Sequence, residues 1–123
     1  MRVKDAVGRF GEDVAAEFLQ RAGLRIVQRN WRCREGELDI VARDGDELVF
    51  CEVKARSGNG FGSPVEAVTP AKVRRLRLLA ARWLAEDRGA GSLGRGCSTV
   101  RFDVVGVLRA PDGVTVEHVR GVL

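Results

Sequence analysis

Histidine is all but missing from these 123 residues, and cysteine and proline are scarce, with three of each. The one histidine, His118, stands far along the chain from any nucleophile and general base it could join, so a Ser/His/Asp or Cys/His mechanism has no candidate set. Cys33, Cys51 and Cys97 are odd in number and widely spaced, and no CxxC pair occurs. Neither a zinc site nor a disulfide framework is indicated, and a reducing cytoplasm fits. No apolar run approaches the ~18 residues that a membrane span needs. The stretch MRVKDAVGRF has no apolar signal core, so a soluble, cytoplasmic protein is expected. Repeats and low-complexity segments are absent too.

What remains is the composition of one globular domain, residues 1–123, with 45% apolar and 31% charged residues. The 21 basic against 17 acidic side chains give +4, a mild lean towards polyanions.

The chain is organised around residues 36–56, GELDIVARDGDELVFCEVKAR. Two strands are predicted, joined by a tight turn at Asp44-Gly45. Alternation puts Glu37, Asp39 and Val41 on one face of the first strand and Leu38, Ile40 and Ala42 on the other. On the second strand, Glu52 and Lys54 share a face with Leu48 and Phe50, opposite Val49, Cys51, Val53 and Ala55. Glu52 and Lys54 thus interrupt an apolar run. Buried charges there cost several kcal/mol unless they are paired, hydrated or bound to metal.

Around this hairpin the pattern predicts a helix over 4–22, with Val7, Phe10, Gly11, Val14, Ala15, Phe18 and Ala22 as its buried stripe and Glu12 beside that stripe. Gly23 is its expected cap, and a strand follows over 24–32. Residues 57–70 read as a glycine-rich flap, and Thr69-Pro70 as the start of a second helix over about 70–87. That helix turns Val73, Leu76, Leu79, Ala80, Trp83 and Leu84 inward. A glycine-rich loop and strands over 98–108 and 114–120 complete the chain. The order helix, three strands, helix, two strands suits an α/β sandwich with a mixed central sheet flanked by helices.

Asp39 and Glu52, on neighbouring strands, sit within cross-strand reach. Mg²⁺ or Mn²⁺ asks for few protein carboxylates and keeps several waters, so these two acids suffice to hold it against a scissile phosphate. Lys54 projects to the side of Glu52, where a point cation orients an attacking water or offsets phosphate charge. Glu12 can close the site from the helix, through a water or as its positioner.

The order Glu12, Asp39, Glu52-Val53-Lys54 resembles the PD-(D/E)xK nuclease superfamily, particularly its Holliday-junction-resolvase branch. The phrases GRFGEDVAAEFL, NWRCREGELDIVARDGDELVFCEVKAR, FGSPVEAV and RFDVVGV are similar to the small bacterial YraN-like family and cover most of the chain. Leu38 stands where the motif's name has proline. The resemblance implies a restriction-endonuclease-like fold. It makes Asp39, Glu52 and Lys54 the catalytic core, adds Glu12 as a further acid, and supplies the backbone carbonyl of Val53 as a third metal ligand. It also implies a homodimer acting on DNA. Light scattering that shows only monomer, with and without DNA, counts against that.

Other residues carry weaker assignments. Glu37 supports the acids, and Glu66 is read as a solvated loop residue. Lys72, Arg74, Arg75 and Arg77 form a basic helix face that either contacts nucleic-acid phosphates or is simply solvated. Phe61 either stacks on a base or buries locally. Trp31 and Trp83 belong to the core, Asp103 is structural, and His118 is given no role. The alternative to a nuclease is a nucleic-acid-binding or partner-docking module that keeps the fold without turnover.

Overall fold

In the computed structural model, which describes residues 6–58, 68–90 and 95–122, the elements follow the predicted order. They are α1 (Ala6–Arg21), β1 (Arg25–Cys33), β2 (Gly36–Asp44), β3 (Glu47–Ser57), α2 (Pro70–Ala90), β4 (Thr99–Ala110) and β5 (Gly113–Val119). The five strands form one mixed sheet in chain order. All neighbours are antiparallel except β3 and β4, whose parallel pairing requires a crossover, and α2 supplies it.

The two helices cover opposite faces, because β3 alternates its apolar side chains between two cores. Val49 and Cys51 join Ile40, Ala42, Val105 and Val107 beneath Ala15, Ala16 and Leu19 of α1. Leu48 and Phe50 join Leu38, Val41 and Trp31 beneath Leu76, Leu79, Ala80 and Trp83 of α2. Phe50 meets Trp83 edge-on at 5.7 Å, and the indole nitrogen of Trp83 donates to Gln28 Oε1 at 2.8 Å, so the buried ring keeps its polar edge satisfied. Both tryptophans are core residues, as expected.

Helix α1 lies very close to the sheet. A Cβ built on Gly11 would stand 2.4 Å from Cβ of Ala55, so only glycine permits this approach. The helix ends in a Schellman motif: Leu24 N–H donates to the Leu19 carbonyl and Gly23 N–H to that of Gln20, both at 3.0 Å.

Four local expectations need correction. The α1 stripe runs through Gly11, Glu12, Ala15, Ala16 and Leu19; Glu12 lies within it at 1% exposure, whereas Ala22 is exposed. Arg29 and Asn30 of β1 reach over and donate to Glu12 Oε1, which holds the helix in this rotation. The hairpin turn is centred one residue later, on Gly45-Asp46, with Asp44 and Glu47 as the last paired residues. Leu38 shares the α2-side core with Val41 rather than facing away from it. Alternation reverses at Asp39, opposite a kink in β1 where Asn30 takes a φ of 55°. Helix α2 runs through Gly89 to Ala90 instead of stopping near 87. Much of the expected flap, residues 59–67, lies outside the described residues, with Phe61 and Glu66 in it.

Candidate active site

Strands β2 and β3 pair from Asp44↔Glu47 to Ile40↔Cys51 and then part. Beyond that rung β2 pairs only with β1, and β3 only with β4. The first residues past the rung are Asp39 and Glu52. The fork would leave the Val53 amide without a ladder partner, and the Asp39 carboxylate fills the gap by accepting Val53 N–H at 2.8 Å. The N–H and C=O of one strand residue leave the same strand edge, so the Val53 carbonyl also faces the fork.

A cleft of ≈ 470 Å³ opens at this fork, between the first turns of α1 and of α2. Its charged lining is Glu37, Asp39, Glu52, Lys54, Lys72 and Arg75. Asp39, Glu52 and Lys54 therefore meet in one cavity, although they come from two strands that have separated. Glu52 Oε1 takes Lys72 Nζ at 3.4 Å and Lys54 Nζ at 3.6 Å. Its other oxygen, Oε2, is buried and has no hydrogen-bond partner among the described residues. A buried carboxylate oxygen left without a donor costs free energy unless some further positive group completes it.

Burial pushes the Lys54 ammonium below the usual lysine range, and the neighbouring Lys72 adds to this; Glu52 opposes both. The result is a lysine that gives up its proton more readily than one in water.

The supporting residues fall unevenly. Glu37 lines the cleft while Arg32, its cross-strand partner on β1, donates to its Oε2 at 2.7 Å. Lys72 and Arg75 of the basic α2 face also line the cleft, whereas Arg74 and Arg77 are exposed and do not. Glu12 stands one helical turn from cleft-lining Gly8, but it does not line the cleft. Its Oε1 accepts Arg29 Nε at 3.0 Å and Asn30 Nδ2 at 2.7 Å, which ties α1 to β1.

Sequence reasoning left His118 without a partner; the structure pairs it. His118 Nε2 lies 2.7 Å from Asp103 Oδ2, and Arg101 grips the same carboxylate through Nε and Nη2 at 2.9 and 3.0 Å. Gly121 N–H donates to its other oxygen at 3.0 Å. The alternation of Arg101 with Asp103 was the available signal for their pairing; nothing in the sequence pointed to position 118. This cluster fastens the end of the chain to β4, away from the cleft.

No three His, Cys, Asp or Glu side chains form a metal-holding group among the described residues. A cation here would have to rest on two carboxylates, one backbone carbonyl and water. That donor set suits Mg²⁺ or Mn²⁺, which keep much of their hydration, and the unpartnered Glu52 Oε2 is the atom such an ion would satisfy.

No helix among the described residues is long and apolar enough to cross a membrane. The chain matches the Uncharacterised protein family UPF0102 over residues 11–107, a range that includes Glu12, the fork and β4. It is 61% identical over 122 residues to a UPF0102 protein of Frankia casuarinae, covering 98% of each chain. A UPF0102 protein of Acidothermus cellulolyticus is 57% identical over 125 residues, covering 96% of this chain and 93% of its own. One of Streptomyces griseus is 55% identical over 123 residues, covering 99% of both. With the YraN-like phrases, the family match and these full-length relatives in agreement, this chain belongs to family UPF0102.

Proposed function

We propose that the protein is a Mg²⁺- or Mn²⁺-dependent nuclease that hydrolyses phosphodiester bonds in branched or otherwise structured DNA. The observation that carries this reading is the fork. Asp39, Glu52 and Lys54 line one cleft, and Glu52 carries a buried oxygen with no hydrogen-bond partner among the described residues.

Asp39, Glu52 and the Val53 carbonyl would hold the metal, with Asp39 kept in place by the Val53 amide. When bound, the ion supplies polarisation of the phosphoryl oxygen and a more acidic water. Lys54 accepts a proton from the attacking water or returns one to the leaving oxygen, and its depressed pKa suits it to either task. Lys72 and Arg75 offer cations to the flanking phosphates, while Glu12, outside the cleft, steadies α1 against β1 beside it. A homodimer would present two such clefts to the two strands of a junction.

The test is a cleavage assay on linear, flapped and four-way DNA with Mg²⁺ or Mn²⁺. Wild type should cut, and Glu52→Ala and Lys54→Ala should each lose about a hundredfold or more, the usual scale for a proton-transfer or charge-stabilising group. Equal cutting by all three proteins would mean contamination and would end the assignment.

A second reading has its own support. Glu52 is already paired with two lysines, and no third acid completes a metal group among the described residues. A non-catalytic nucleic-acid-binding module would keep such a neutralised cleft. It predicts salt-sensitive DNA binding that needs no metal and survives Asp39→Asn.

A further inference from the structure

Among the described residues, the charged side chains lining the cleft are three acids, Glu37, Asp39 and Glu52, and three cations, Lys54, Lys72 and Arg75. A free divalent cation entering the cleft meets these three positive side chains as well as the acids. The carboxylate such a cation would use, Glu52, already carries two ammonium groups on one oxygen. Two further positive charges at that spot meet direct repulsion.

One lysine has to yield, and the structure separates the two by what holds them. Lys54 grows from the middle of β3, whose backbone is laddered to β4 from Glu47↔Thr99 to Ser57↔Arg109. Lys72 stands in the first turn of α2, anchored by its own N–H to Thr69 Oγ1 at 3.2 Å. Its flexible stem ends at the rim of the cleft, with the side chain 31% exposed. Arg75, one turn further along, lines the same rim. An ammonium leaving Glu52 would therefore remain beside a second cation, where a phosphate can take both.

We propose that Lys72 is an exchangeable counter-ion. It neutralises Glu52 while the cleft holds no divalent cation, and it passes to a phosphate of the nucleic acid when cation and nucleic acid enter together. The proposal rests on the metal-site reading above and adds a consequence that reading does not contain. Cation and nucleic acid must strengthen each other's binding, and the coupling must run through Lys72. Free cation alone binds weakly because Lys72 competes with it; the phosphate removes the competitor.

The experiment is calorimetric titration of Ca²⁺, chosen so that no cutting intervenes, with and without a short DNA duplex. It compares wild type, Lys72→Met, Lys72→Arg and Glu52→Gln. Circular dichroism confirms folding, and Lys72→Gln is a second charge-removing variant if Lys72→Met does not fold. Wild type should bind Ca²⁺ more tightly with duplex than without. Lys72→Met should bind Ca²⁺ alone about fivefold more tightly than wild type, the scale of one part-exposed ion pair, and should lose most of the duplex effect. Lys72→Arg should retain the coupling. Unchanged or weaker Ca²⁺ binding in Lys72→Met, with wild-type binding intact and lost in Glu52→Gln, overturns the counter-ion role and leaves the metal site standing. No Ca²⁺ binding by wild type, with or without duplex, overturns both.

Discussion

Asp103 shows how one side chain can hold together parts of the chain that are distant in sequence. It is 1% exposed, which alone would raise its pKa, yet His118, Arg101 and the Gly121 amide outweigh burial and bring its carboxyl down to about 2. A carboxyl lowered on folding stabilises the native state above its unfolded pKa, near 4, and that contribution is lost as pH falls through about 2. Wild type should therefore lose about 1–2 kcal/mol between pH 4 and pH 2 through this group alone, on the linkage scale of 1.36 kcal/mol per unit. Urea denaturation across that range should show the acid-side slope flattened in Asp103→Asn. The same slope in both proteins would remove Asp103 from the account. Glu52 presents the opposite case: its partners crowd onto one oxygen and leave the other without a donor, an arrangement poor for stability and suited to a ligand.

At the level of elements, the cleft depends on how α1 is laid against the sheet. The helix is drawn in by Gly11 over Ala55 and locked by Glu12 to Arg29 and Asn30, so its first turn, with Val7 and Gly8, forms one wall. Gly11→Ala would gain helix propensity worth about 1 kcal/mol but would force the helix off β3, with a net loss of about 1–2 kcal/mol. Denaturant melts should find that loss, and a stabilised variant would show that the helix can lift freely. The elements and their order were legible because turn residues separate clear periodic runs: Gly23 ends α1, Thr69-Pro70 starts α2, and the Asp44-Gly45-Asp46 stretch joins β2 to β3. The rotation of α1 was not legible. A glutamate on an apolar face is assigned outward by any hydrophobic pattern, and the side chains of Arg29 and Asn30 that compensate its burial lie seventeen and eighteen residues on. The reversal at Asp39 was hidden for a similar reason, since a positive φ at Asn30 cannot be read from alternation.

Across the whole molecule, the sheet is continuous except where β2 and β3 separate, and the chemistry-bearing residues gather at that opening. The site core could be read in the sequence because Asp39, Glu52 and Lys54 interrupt otherwise apolar strands, and a charge in such a place needs a reason. That Lys72 and Arg75, rather than Arg74 and Arg77, face the cleft could not be read, because it depends on the angle at which α2 crosses the sheet. The measurement that bears most directly on the central claim is a crystal structure grown with Mn²⁺ and recorded at the manganese absorption edge. An anomalous peak at the fork, shared by the Asp39 carboxylate and Glu52 Oε2, with Lys72 drawn away from Glu52 in crystals that also hold DNA, is the predicted result. A fork that stays empty at saturating Mn²⁺, with both lysines still on Glu52, would contradict it.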